Sequence, residues 1–210
     1  MSEQADLKTS GKTLFVVVCG WPLSGKSTLA SRLAETLCTR HLDINLNVRA
    51  PIFGPPKFES YEEFRETDRK EMIGSYEILL HAAEVLLHLR RSVIVSATFS
   101  RKKYQDDLYS FFRRLTQFKI ILRIIWCLPT NDPEDEIMRR IESRRANEDL
   151  AIACGHSRYT DPVNSVERYL EVKSRYEALD ATLLPHLRID TSAPQTIEDS
   201  LRAALTYIRA

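Results

Sequence analysis

This 210-residue sequence has almost no excess charge, no paired cysteines and no apolar run long enough for a bilayer, and each deficit removes a class of function. Lys plus Arg number 30 against 29 Asp plus Glu, so the general polycation character that drives non-specific nucleic-acid binding is missing. A local basic patch stays open. Cys19, Cys38, Cys127 and Cys154 lie 19, 89 and 27 positions apart, which offers no C-x-x-C pair for zinc or a dithiol couple. Reduced, mostly buried thiols are expected. The longest apolar stretches, Leu14–Cys19 and Ile120–Leu128, fall far short of the roughly 20 residues a spanning helix requires. Residues 1–12 (MSEQADLKTSGK) are polar and lack the apolar segment of a secretion signal, so a cytoplasmic protein without membrane contact is expected. With 43% hydrophobic residues the chain can bury one substantial core, which predicts one domain over residues 1–210.

What is present is alternation. Short apolar runs at 13–19, 41–48, 92–97, 120–128 and 187–190 are separated by segments of helical period at 26–38, 61–89, 102–115, 133–146, 165–179 and 196–208. That order predicts a parallel sheet covered by helices. The run HLDINLNV at 41–48 is the most polar of the strands, and 61–89 is long enough for two helices. The Pro-rich piece PIFGPPKF at 51–58 reads as a loop on the carboxyl side of the second strand, where open α/β sheets bind ligands.

The strongest local signal is GWPLSGKST at 20–28, placed between an apolar strand and an amphipathic helix. Gly20 and Gly25 give the backbone angles that let residues 20–27 wrap with amides inward, and the helix beginning near Lys26 adds its positive end. Such a cage suits the phosphates of a nucleotide. Lys26 supplies a point charge for the outer phosphates and Ser27 a hydroxyl for Mg²⁺; Trp21, Pro22, Leu23, Ser24 and Thr28 complete the nucleotide-binding segment. ATP and Mg²⁺ are the implied ligands. Neither an N-K-x-D guanine-reading motif nor a D-x-x-G follows, which argues against a GTPase. A strand ending in paired acids, expected of the longer motor and AAA-type ATPases, is also missing.

With these residues in place, the sequence resembles the P-loop kinases grouped around zeta toxins, adenylylsulfate kinases, chloramphenicol phosphotransferases and polynucleotide 5′-kinases. The resemblance rests on residues 20–33, 42–54 (LDINLNVRAPIFG), 93–108 (VIVSATFSRKKYQDDL), 137–145 (IMRRIESRR), 159–179 and 188–192 (RIDTS). It implies a P-loop three-layer α/β sandwich with a five-stranded parallel sheet, a helical lid over residues 133–162, and transfer of the ATP γ-phosphate to a hydroxyl of a small-molecule or nucleotide-like acceptor. Within it Arg49 holds the acceptor, with Thr98 and Arg101 beside it, while Arg140 and Arg144, four apart on one helix, close over the transferred group. The family places an acid shortly before the arginine matched to Arg49; here those positions are Asn45, Leu46 and Asn47, so Asp43 is the nearest carboxylate and the candidate base. Ser96 stands where the family often has a metal-holding aspartate. Two alternatives follow from these departures and from the resemblance: an ATP-binding module with weak turnover, and a polynucleotide 5′-hydroxyl kinase, which the neutral charge disfavours. His41, His156 and His186 show no partners by spacing, whereas His81 and His88 suit a surface face. Tyr169 and Tyr176 suit core, and Thr191–Pro194 follows the last strand where related folds pack adenine. No sequence feature bears on oligomeric state.

Overall fold

β1, Thr13–Gly20, is buried along its whole length. Its side chains serve two cores at once. Phe15, Val17 and Cys19 face one, Leu14, Val16 and Val18 the other, the alternation that makes a central parallel strand read as a continuous apolar run. The computed structural model describes residues 13–53, 61–116, 118–130, 133–153, 165–192 and 196–210. Around β1, in chain order, stand α1 (Lys26–Leu37), β2 (Arg40–Asp43), a π-helical turn (Ile44–Arg49), α2 (Ala50–Phe53), α3 (Tyr61–His88), β3 (Val93–Ser96), α4 (Lys102–Leu115), β4 (Ile120–Leu128), α5 (Glu134–Ala153), α6 (Val166–Ser174), β5 (Leu187–Asp190) and α7 (Ile197–Arg209).

The five strands lie in the order β2-β3-β1-β4-β5, and every pairing is parallel. On one face, α3 and α4 cover the sheet with Tyr76, Leu79, Ala83, Leu108, Phe111 and Leu115. α1 and α7 cover the other with Leu29, Leu33, Ala204 and Ile208. This is the parallel sheet covered by helices that the sequence pattern predicts and the α/β P-loop kinase-like architecture that the resemblance implies, with the chain leaving β1 first toward β2 and β3 and later toward β4 and β5. Ligands of such sheets sit where the strand order reverses, beyond the carboxyl ends.

Several elements differ from the sequence expectation: α5 runs on to Ala153 rather than ending at 146, and α6 ends at Ser174 rather than 179. The second strand stops at Asp43 rather than 48 because the Asp43 side chain accepts the amides of Asn45 and Leu46, while Asn47 Oδ1 accepts the Asp43 amide at 2.7 Å; such side-chain bonds compete with the sheet ladder. Residues 61–88 form one helix, not two. The segment at 51–58 begins as the end of α2, and its remainder, 54–58, lies outside the described residues. No helix among the described residues is long and apolar enough to cross a membrane.

Candidate functional site

The phosphate-loop candidate begins where β1 runs against β4. Gly20 pairs with Cys127 and has a φ of 149°, and a Cβ built there would lie 2.1 Å from the Cys127 carbonyl oxygen. Only glycine allows this close approach. Gly25 has a φ of 72° and open space where its Cβ would be, so there the backbone angle, not crowding, selects glycine. Leu23 also takes a positive φ of 61°. Ser24 donates its amide to Trp21 O at 3.2 Å. Among the described residues no group accepts the amides of Leu23 or Gly25. The Ser24 Oγ is buried without a hydrogen-bond partner among the described residues. Lys26 Nζ donates to Trp21 O at 3.3 Å, so its ammonium lies back along the loop it follows.

Ser27, in the first turn of α1, donates to Asp43 Oδ2 at 2.7 Å. Asp43 ends β2 and pairs in register with Ser96 at the end of β3, and Ser96 Oγ donates to the same Oδ2 at 2.7 Å. The other oxygen, Oδ1, accepts the amides of Asn45 at 2.9 Å and Leu46 at 3.1 Å. Burial by itself would raise the Asp43 pKa, but the hydroxyls of Ser27 and Ser96, the Leu46 amide and the charge of Lys26 outweigh it and hold the carboxyl below its ordinary value. Behind this pair lies His41, whose Nε2 is 2.8 Å from Ser96 Oγ and whose Nδ1 is 3.1 Å from Ser31 Oγ. Sequence spacing gave His41 no partner. The missed signal was strand period, since residues 41 and 43 of a strand share one face.

α5 reaches the loop through Arg140. Its Nη1 donates to Leu23 O at 3.0 Å, its Nη2 to Thr191 O at 2.8 Å and its Nε to Glu136 Oε1 at 2.7 Å. One guanidinium thus ties the phosphate loop to the segment after β5. Arg139 chelates the same Glu136 with two bonds of 2.7 Å. Hydrogen bonding from Arg139 is the largest influence on Glu136; burial opposes it, and the hydrogen bond from Arg140 with the charges of both arginines brings the pKa down to about 2. Arg144 sits one turn further along α5, half-buried. At the end of β5, Asp190 accepts Ser192 Oγ at 2.6 Å and Thr130 Oγ1 at 2.5 Å, which holds its carboxyl well below the usual range and fixes the entry to Thr191–Ser192. Residues 193–195 lie outside the described residues, as do 154–164 of the expected lid.

Trp21 faces α6 and the segment after it. Lys173 Nζ lies 4.3 Å from the centre of its ring, and Tyr176 meets it edge-on at 6.2 Å. Lys173 went unnoticed in the sequence because one lysine on a helix carries no pattern. The remaining expected residues are less central. Arg49 is 2% exposed, with Nη2 3.5 Å from Glu71 Oε2. Thr98 Oγ1 pairs with the Tyr76 hydroxyl at 2.9 Å and its carbonyl accepts Tyr176 OH at 2.8 Å. Arg101 is exposed ahead of α4, and Lys102 is paired with Asp106. Cys19 and Cys127 are buried and Cys38 is exposed. A groove of about 730 Å³ lies at the amino ends of the strands, lined by Leu14, Thr39, Arg40, Ser92 and Ile121 among others, the far end of the sheet from the phosphate loop.

A family model described as "AAA domain" matches residues 15–160. No curated protein matches the chain. Among solved structures, a protein of Chloroflexus aurantiacus j-10-fl is 22% identical with a TM-score of 0.59, covering 94% of this chain and 98% of that one. The Mycobacterium tuberculosis APS kinase CysC, in complex with AMPPNP and APS, is 16% identical with a TM-score of 0.57 over 95% and 98% of the two chains. Chaetomium thermophilum Kti12, in complex with ADP-AlF3, has a TM-score of 0.54 at 15% identity, covering 93% and 97%. At these identities the likeness is one of fold.

Proposed function

Since the chain belongs to the AAA domain family, matched from Phe15 into the segment beyond α5, we propose that it is an ATP-dependent phosphotransferase acting on a hydroxyl acceptor. The observation that carries this reading is the meeting of the Gly20–Ser27 loop with Asp43, Ser27 Oγ to Asp43 Oδ2 at 2.7 Å. The amides of Leu23 and Gly25, the positive end of α1 and Lys26 are suited to the phosphate oxygens. Ser24 Oγ, buried and without a partner among the described residues, fits a site that a ligand's oxygens complete.

The donor set also fits Mg²⁺. A hard, hydrated cation of this size is held by one or two protein oxygens plus phosphates and water, and Ser27 with Asp43 provides a hydroxyl and a carboxylate. Among the described residues no group of three or more His, Cys, Asp and Glu gathers as a dedicated cage, in keeping with that mode of binding. When bound, the ion offsets charge on the phosphate oxygens. The chain's own part is to align. The acceptor oxygen attacks the γ-phosphorus in line, the bond from γ-phosphorus to the ADP oxygen breaks, and the acceptor's proton passes to solvent water. Asp43 is proposed for the metal side rather than as proton acceptor, because four donors occupy it and its lowered pKa makes it a weak base. A loose transition state asks little of a base and much of positioning and charge. Arg140 ties α5 to the loop, and Arg144, one turn on, is the guanidinium proposed for the transferred group.

A second reading, a nucleotide-binding module with slow transfer, is favoured by one observation: Arg49, the expected acceptor contact, is buried against Glu71. A labelled-phosphate screen with ATP and Mg²⁺ across aminoglycosides, nucleosides, sugar nucleotides and 5′-hydroxyl oligonucleotides separates the two. Transfer to an acceptor that Lys26→Ala abolishes supports the phosphotransferase; nucleotide binding without transfer to any of them supports the module. An oligonucleotide as the preferred acceptor would establish the 5′-end kinase alternative.

A further inference from the structure

The chain Ser31–His41–Ser96–Asp43–Ser27 has a proton order that its geometry dictates. A carboxylate only accepts, so Ser27 and Ser96, both 2.7 Å from Asp43 Oδ2, must each donate their single hydroxyl hydrogen to it. Ser96 Oγ, its hydrogen committed, can only accept from His41 Nε2 at 2.8 Å. The imidazole therefore carries its proton on Nε2, which leaves the Nδ1 lone pair to accept from Ser31 Oγ at 3.1 Å. Every hydrogen along the chain points toward Asp43 or is relayed to it.

Building on the phosphate-loop reading, we propose that His41 is a positioning residue: through Ser96 it locks the Asp43 carboxylate in the orientation that Ser27 and a Mg²⁺-nucleotide share. Without the His41 donor, Ser96 Oγ can turn its hydrogen elsewhere and Asp43 Oδ2 loses one of its two hydroxyl partners. Asp43 Oδ1 stays fixed by two amides, so the loss is one of orientation and not of folding. Partners behind a metal ligand typically change metal affinity 10- to 100-fold when removed.

Two measurements test this, one independent of activity. Long-range ¹H–¹⁵N spectra of the imidazole in metal-free protein are expected to show His41 as the Nε2–H tautomer, and Ser96→Ala is expected to abolish that preference. An Nδ1–H ring in the native protein, or a ring indifferent to Ser96→Ala, overturns the relay. Calorimetric ADP titrations with Mg²⁺ and with EDTA then compare His41→Leu with His41→Gln, whose amide keeps a donor. The Leu variant is expected to weaken the Mg²⁺-dependent affinity about 10-fold while leaving the EDTA affinity unchanged, and the Gln variant to recover most of the loss. Equal losses in both variants, or equal losses with and without Mg²⁺, reduce His41 to packing and overturn the proposal. Failure of the native protein to bind ADP under either condition would sink the phosphate-loop reading instead, and the tautomer result would still decide the relay.

Discussion

Gly20 shows how one residue can be dictated by its neighbours. The loop must leave β1 while β1 is still paired with β4, so the backbone at position 20 passes against the Cys127 carbonyl with a φ of 149°. Gly20→Ala places a methyl 2.1 Å from that oxygen, a contact with backbone that no side-chain rotation relieves. Strain and overpacking of this kind each cost about 1–3 kcal/mol. The variant is expected to unfold at a urea midpoint lower by the equivalent of about 3 kcal/mol; a loss under about 1 kcal/mol in a urea titration would show that β4 yields instead. Gly25→Ala meets no atom within 4 Å, so its smaller penalty should come from the left-handed φ alone. At this scale the sequence was informative about the loop and poor about what backs it. Ser96 looked like a missing acid, yet its strand neighbour Asp43 supplies the carboxylate at the same level of the sheet, a lateral relation that a one-dimensional pattern does not display.

Whole elements followed the same division. β4 and β5 span Ile120–Leu128 and Leu187–Asp190, and α4 spans Lys102–Leu115, the boundaries that apolar runs and helical period predict, because burial against a sheet is what writes such patterns. β2 ended early because side-chain capping by Asp43 and Asn47, which hydrophobicity does not register, overrode its polar continuation. On α5, Glu136 sits between Arg139 and Arg140 and is 11% exposed at its side chain. Its pKa of about 2 lies below the ordinary 4.5, so the folded state holds the proton less tightly than the unfolded chain. The stabilisation is therefore full above about pH 4.5, declines as pH falls and is gone below about pH 2. Charge-assisted bonds of this sort are each worth about 1.5–3 kcal/mol. Relative to the native protein, Glu136→Gln is expected to lower Tm at pH 7 by about 2–4 °C for each kcal/mol lost. The gap should narrow by pH 3. A gap independent of pH in thermal melts would show that shape, not charge, is what Glu136 contributes.

For the molecule as a whole, the distribution of apolar burial decides which part is free to move. Two large cores hold the sheet between α3–α4 and α1–α7. α5 and α6 share a third, small core in which Ile137, Ile141 and Tyr169 are buried, with Leu23 of the phosphate loop, Val166 and Val172 packed against it. That arrangement couples the two helices to the loop through Leu23 and Arg140 while giving them little burial of their own among the described residues. Regions with few buried apolar contacts open at lower free energy than the core strands. In hydrogen exchange without nucleotide, the amides of α5 and α6 are thus expected to exchange faster than those of β1 and β4. If the opened form does not bind ligand, a non-hydrolysable ATP analogue with Mg²⁺ at 100 times its dissociation constant adds about 2.7 kcal/mol to that opening, which slows exchange in both helices by about 100-fold. Helices already as protected as β1 in the free protein would mean that no lid motion accompanies binding. Protection unchanged by the analogue would mean that α5 and α6 do not close over the loop, and Arg144 would then have no route to a transferred phosphoryl group.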